Sequence, residues 1–183
     1  MHGDDYVTAG LPEDLEWLEK QLSEAYELQT QKLGDEEGAQ LEGKVLNRIV
    51  RRTATGWETE ADPRHAELMI AQLGSSTERM LDTPGSDGKD DADNDDDTDL
   101  VGEDITRFRG VAARGNYLSF DRPDMQYAIK EICREMSRPT TASLRRLRRI
   151  GRYLKRRPRL VWHFEMQEAT DHIEICTDSD WAG

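Results

Sequence analysis

The sequence predicts an α+β chain. Apolar residues recur at helical spacing in segments opened by proline or threonine, and short β-favouring runs lie between and after them. One long acidic stretch interrupts both patterns. Over 82–104 acids far outnumber the single base Lys89, and almost nothing apolar is available to offset the entropy of ordering, so this stretch is read as a flexible linker.

In chain order, residues 1–10 place Asp4-Asp5 beside Tyr6 and Val7, a short extended pattern closed by Gly10 and read as a strand or hairpin. Pro12 suits a first helical position, Glu13 and Asp14 complement the positive end of the helix dipole, and Leu15, Leu18, Leu22 and Tyr26 recur on one side. A helix is predicted over 12–26. Val45, Ile49 and Val50, then Thr53-Ala54-Thr55-Gly56 and a run from Trp57, predict a hairpin with a longer loop. Asp62-Pro63 caps a helix whose Ala66, Met69, Ile70 and Leu73 share a face and which Gly74 ends.

Beyond the acidic stretch, Ile105, Phe108 and Ala112 predict a helix reaching about Tyr117, and Pro123 opens a second with Met125, Ile129, Ile132 and Met136 on one stripe. Thr140 or Thr141 caps a third, with Leu144, Leu147, Gly151 and Leu154 on its apolar face and Pro158 as its stop. These make a helical subdomain over 105–158. Leu160 to Phe164 and Ile173 to Thr177 are β-favouring and are expected to pair as a hairpin within 159–183.

The totals set bounds on these readings. The chain has 183 residues and a hydrophobic fraction of 36%, low for one large core. Its net charge of −13 conceals a separation of sign along the chain, so partners must be read segment by segment. Cys133 and Cys176 lie far apart without metal-ligand spacing, which signals neither a disulfide framework nor a zinc site. No run approaches the length of a membrane helix and the start is acidic rather than signal-like, so the expectation is a soluble intracellular protein, cytoplasmic or nuclear. No motif points to a small-molecule ligand.

Two acidic clusters, His2-Gly3-Asp4-Asp5 and Thr177-Asp178-Ser179-Asp180, resemble parts of metal sites. Phosphoryl transfer by two divalent metals needs several carboxylates converging on ions about 3.5–4 Å apart, more than either cluster holds. Successive side chains on a strand point to opposite faces, so Asp4 and Asp5 supply one ligand and one supporter unless a turn brings them together. Residues 138–159 carry ten arginines and lysines and no acid, Arg145, Arg146, Arg148, Arg149, Arg152, Lys155, Arg156 and Arg157 among them. Such density neutralises phosphates and releases counterions. Nucleic acid is the favoured partner; the alternative is an intramolecular acidic partner, the 82–104 stretch or a neighbouring domain, and both readings stay open. Tyr117, Phe120 and Tyr127 are read as core aromatics, Trp57 and Trp162 as strand packing, and His65, His163 and His172 as ordinary histidines.

The order of these landmarks resembles a known family. His2-Gly3-Asp4-Asp5, the helix from Pro12, Lys32-Leu33-Gly34, Thr83-Pro84, Arg107-Phe108-Arg109-Gly110, Asn116-Tyr117-Leu118, Arg122-Pro123-Asp124, Tyr127-Ala128, Met136-Ser137-Arg138-Pro139-Thr140, Arg152-Tyr153-Leu154 and the closing Asp178-Ser179-Asp180-Trp181-Ala182-Gly183 are similar to the reverse transcriptase of copia-type LTR retrotransposons. The resemblance implies a partial polymerase palm and thumb-like segment over 1–81, the acidic linker over 82–104, a connection over 105–158, and the first strands of a ribonuclease H domain over 159–183. It implies that Asp4 and Asp5 belong to the palm's Tyr-x-Asp-Asp motif and help hold magnesium, with His2 in the tyrosine's place. Asp178 would be the first metal-binding aspartate of ribonuclease H, and Asp180 a supporter. The implied partners are an RNA or DNA template-primer and the rest of the polyprotein. The implied parent is an RNA-directed DNA polymerase with ribonuclease H, of which this chain, holding only part of each carboxylate set, is expected to lack turnover. The alternative is a non-catalytic helical remnant that binds RNA or an acidic protein.

Overall fold

The computed structural model describes residues 6–74, 78–85, 97–167 and 173–177. Its elements are α1 (Pro12–Ser23), β1 (Glu42–Val45), β2 (Arg48–Thr53), β3 (Gly56–Ala61), α2 (Pro63–Leu73), α3 (Glu103–Ser119), α4 (Pro123–Arg134), α5 (Thr141–Arg156) and β4 (Val161–Glu165). No described helix is long and apolar enough to cross a membrane.

Proline opens α1 as expected, but the helix ends at Ser23, whose hydroxyl donates to the Lys20 carbonyl at 2.9 Å. A terminal hydroxyl turned back onto the last carbonyls competes with further helical bonds. None of α1 is fully buried.

The four strands form one antiparallel sheet in the order β1-β2-β3-β4. Leu46 and Asn47 both take positive φ, 48° and 64°, the two-residue geometry that matches the twist of flanking strands. The second turn also has two residues, Ala54 and Thr55, and is closed by the Gly56 N–H on the Thr53 hydroxyl at 3.1 Å. A three-strand meander therefore replaces the single hairpin with a longer loop that the sequence predicted. Leu46 is not a turn-signalling residue, so Asn47 alone marked the first turn.

The expected hairpin between 160–164 and 173–177 is also replaced. β4 pairs with β3, setting Phe164 opposite Trp57 and Trp162 opposite Thr59, while 173–177 form no strand. A Cβ at Gly56 would strike the Phe164 carbonyl and Glu165 backbone, so the glycine permits the close approach of the two strands.

α2 is bounded as its sequence required: the Asp62 carboxylate accepts from the Arg64 N–H at 3.0 Å, and Gly74 takes the left-handed conformation at φ 68°. Its Ala66, Met69 and Leu73 join Phe108, Val111, Met125, Ile129, Leu147, Ile150 and Leu154 in a single core. The acidic stretch thus does not separate two cores, and the three-helix subdomain expected over 105–158 is a four-helix layer that includes α2. Gly115 on α3 lets Ile129 and Met69 close over it. Of the stretch expected to be flexible, 86–96 lie outside the described residues, but both flanks are anchored. Leu100 is buried, its N–H donates to the Pro139 carbonyl at 2.9 Å, and Glu103 and Asp104 begin α3.

Three arginines fasten the carbonyl ends of neighbouring helices, where backbone acceptors lack intrahelical partners. Arg107 donates to the Gln72 carbonyl of α2. Arg109 donates to the Met136 and Ser137 carbonyls after α4, at 2.8 and 3.1 Å. Arg122 reaches the Arg157 and Pro158 carbonyls after α5, at 2.9 and 3.2 Å.

The sheet joins the helices through Asp121, whose carboxylate pairs with Arg48 at 2.6 Å and whose carbonyl accepts from the Trp162 indole at 3.3 Å. On the sheet, Glu60 is 2% exposed and sits between Arg159, at 2.7 Å from each oxygen, and Arg51, at 2.5 Å.

Candidate nucleic-acid interface

α5 starts at a reciprocal cap. The Ser143 N–H donates to the Thr140 hydroxyl at 3.3 Å and the Thr140 N–H to the Ser143 hydroxyl at 2.7 Å. Asp97 adds a carboxylate on the Ala142 N–H at 3.0 Å, and that bond, reinforced by Thr140, holds the Asp97 carboxyl below its ordinary range. The helix ends before Pro158. Leu147, Ile150, Gly151, Tyr153 and Leu154 are buried, so the basic residues occupy the opposite surface. Arg145, Arg149, Arg152 and Arg156 follow one another at i, i+4, i+7 and i+11, one stripe of the helix.

The seven α5 residues singled out in the sequence lie together on that surface but differ in engagement. Arg146 pairs with Glu135, just after α4, at 2.9 Å. Arg145 faces Asp97. Arg148 is exposed and makes no hydrogen bond or ion pair with a described residue. The other four meet residues 78–85, which run along the helix. Arg149 donates to the Gly85 carbonyl at 2.8 Å and to the Thr83 hydroxyl at 3.0 Å. Arg152 donates to the Arg79 carbonyl at 2.7 Å, Lys155 to the Glu78 carbonyl at 3.0 Å, and Arg156 to the Asp82 carboxylate at 2.8 Å. In return the Leu81 N–H donates to the Arg152 carbonyl at 3.4 Å. At the row's ends, Arg138 clasps Asp99 at 2.9 Å, and Arg159 belongs to Glu60.

Of the acceptors that residues 78–85 present, three are backbone carbonyls, those of Gly85, Arg79 and Glu78, beside the Thr83 hydroxyl and the carboxylates of Asp82 and Glu78. A carbonyl satisfies a guanidinium's N–H but does not cancel its charge, so the face stays cationic even where it is covered.

Asp4, Asp5 and Asp178, the sequence's candidate metal ligands, lie outside the described residues, as do His2, His172 and Asp180. Among the described residues no group of three or more His, Cys, Asp or Glu side chains is placed to hold a metal.

Tyr117, Phe120 and Tyr127, expected in the core, are 46%, 72% and 72% exposed. Phe108, Met125 and Ile129 fill the space between α3 and α4 instead, leaving the tyrosines on the polar side. There Lys130 lies 4.9 Å from the Tyr127 ring, and Tyr117 accepts from Asn47 at 3.3 Å. Trp57 and Trp162 lie on strands as expected, Trp57 half-buried with the Arg52 guanidinium 5.7 Å from its ring, but Trp162, read as packing, is 44% exposed. His65, on the first turn of α2, lies 5.0 Å from the Tyr117 ring, and its own ring is held below the usual histidine range by burial and then by Arg114.

A role the sequence did not disclose belongs to Arg122-Pro123-Asp124. Arg122 is 2% exposed, it grips Asp124 at 2.9 and 2.7 Å, and the Tyr153 hydroxyl donates to the same carboxylate at 2.5 Å. Burial would raise the Asp124 carboxyl, but hydrogen bonds from Arg122 and Tyr153 hold it below its ordinary range. This clamp fixes the end of α5 against the start of α4, so the basic stripe is rigidly presented. An arginine directly before a helix-opening proline and aspartate was the available signal.

No family profile matches the chain, and no solved structure matches it. Among curated proteins, 82 residues are 38% identical to the retrovirus-related Pol polyprotein from transposon RE1 of Arabidopsis thaliana, covering 44% of this chain and 5% of that protein. A stretch of the same length is 35% identical to the Pol polyprotein from transposon RE2 of that plant, again 5% of its length. Over 82 residues, then, this chain is similar to a piece of retrotransposon polyprotein. An uncharacterized mitochondrial protein of Arabidopsis thaliana matches at 33% identity over 82 residues, 33% of its own length. The chain thus spans a small part of the polyproteins it matches and about a third of the shorter relative.

Proposed function

We propose that this chain is a piece of a retrotransposon polyprotein and belongs to its reverse transcriptase, from the catalytic hairpin of the palm through the connection into the start of ribonuclease H, and that α5 is its face for the template-primer. The observation that carries the second part is the unbroken row of cations on a helix fixed at its start by the Thr140–Ser143 cap and at its end by Arg122. The first part rests on the retrotransposon relatives and on the order of motifs from Asp4-Asp5 to Asp178. Carboxylates are suitable donors for magnesium, which would supply the charge stabilisation for nucleotidyl transfer. This chain's own described residues bind and orient nucleic acid backbone; they perform no bond-making step.

A non-catalytic module that binds an acidic protein is the second reading, favoured by the carboxylates already taken by Arg138, Arg146 and Arg156. Titration of a labelled RNA–DNA hybrid across a salt series separates the two. About six phosphate contacts give a slope of log affinity against log salt near −5, at roughly −0.9 per phosphate on duplex DNA. Replacing Arg145, Arg148, Arg149 and Arg152 by Gln flattens that slope by about 3 to 4 while helix content holds, since glutamine is a comparable helix former. An unchanged affinity and slope in that variant would remove nucleic acid from this face.

A further inference from the structure

We propose that residues 78–85 are a built-in competitor for the α5 cations, a strap that must leave before a nucleic acid backbone can occupy the C-terminal half of the helix. The inference rests on the reading of α5 as a phosphate-binding face and adds a regulated exchange to it.

The strap engages four successive cations of that half. Gly85 and Thr83 take Arg149, the Arg79 carbonyl takes Arg152, the Glu78 carbonyl takes Lys155, and Asp82 takes Arg156. A phosphate oxygen seeks N–H donors of these same four side chains, so the strap, which lies over them, competes with a phosphate for this face. Occupation at the N-terminal half is lighter, because Arg148 is free of described partners and Arg145 meets only the charge of Asp97. A duplex would therefore engage Arg145 and Arg148 first and displace the strap afterwards.

The strap is built to be displaced. Its acceptors are mostly neutral, and of its residues only Asp82 and Glu78 bring negative charge to α5. Asp82 is an exposed partner, and Met80 is 44% exposed, so little apolar surface holds the segment down. Carbonyl hydrogen bonds are nearly indifferent to salt, whereas four phosphate contacts contribute a slope of about −3.6. Rising salt consequently favours the strap and falling salt favours the nucleic acid, and the exchange is set by ionic strength rather than by sequence.

The test compares the full chain with the double variant Leu81→Pro, Asp82→Asn, which removes the N–H held by Arg152 and the carboxylate held by Arg156 without touching α5. The probe is a labelled RNA–DNA hybrid in a salt series, together with hydrogen exchange at the Leu81 amide of the parent. The expected result is binding about tenfold tighter in the variant with the salt slope unchanged, and loss of Leu81 protection when the hybrid is added to the parent. Equal affinities, with Leu81 still protected in the bound parent, would overturn the strap as competitor while leaving α5 as the binding face. Absence of binding by both proteins at low salt would overturn the α5 reading itself and the strap's role with it.

Discussion

Arg122 and Asp124 form a bidentate ion pair, 2.9 and 2.7 Å, in which the arginine is almost wholly enclosed and also donates to two carbonyls beyond α5. Removing one member of a buried pair leaves the other charged and unsolvated. Arg122→Ala is expected to destabilise the fold by about 3–5 kcal/mol, as measured by urea unfolding. Arg122→Lys recovers little of this, because a single ammonium cannot reach Asp124 and both carbonyls as a planar fork does.

The same pair sets a pH dependence. Asp124 and Glu60 are both held below their ordinary carboxyl ranges, where burial is overcome by Arg122 and Tyr153 in one case and by Arg159 and Arg51 in the other. Their stabilising contribution is present above the unfolded carboxyl range and is lost as pH falls through the folded values. His65 adds a step at higher pH. Its folded value lies below 6.5, so the unfolded chain binds the proton first and stability falls as pH drops through about 6.5. Urea midpoints measured from pH 8 downward are expected to decline in two stages, and His65→Gln removes the upper stage alone.

What the sequence disclosed follows the range of the interaction. Asp62-Pro63 and Gly74 bounded α2, and Thr140 opened α5, because caps and stops are local chemistry. The partner of β4 was not legible: Leu160 to Phe164 and Ile173 to Thr177 are both β-favouring, and nothing near either run shows that Trp57 lies opposite Phe164. The shared core was hidden for a related reason, since Met69 meets its neighbours across the acidic stretch. The α5 row was plain in composition, but its engagement was not. Glu78, Arg79 and Gly85 present carbonyls to it, which no side-chain pattern encodes.

Gly56 discriminates between the two arrangements of β4. A side chain at this position meets the Phe164 carbonyl, backbone that cannot yield without moving the strand. Gly56→Val is expected to detach β4 and raise amide exchange across 161–165. Were that segment paired with 173–177 instead, exchange there would not change. Gly115→Ala is the milder counterpart, because the obstructing atoms are the flexible ends of Ile129 and Met69. It is expected to cost about 1–3 kcal/mol by urea unfolding, with native secondary structure retained.

The two halves of the α5 row should respond differently to charge removal. Arg145 and Arg148 lie outside the strap's reach, and their replacement by Gln subtracts two phosphate contacts, flattening the salt slope by about 1.8 without changing the chain's stability. Arg149 and Arg152 hold the strap as well as any phosphate. Replacing them by Gln subtracts the same two contacts but also frees residues 78–85, so the Leu81 amide exchanges faster even without nucleic acid. Equal slopes in the two pairs, together with faster Leu81 exchange in the second alone, is the expected pattern from hybrid titration and hydrogen exchange. Accelerated exchange at Leu81 in the Arg145 and Arg148 variant would mean that the strap is held by the whole charge of the helix rather than by the four residues it touches.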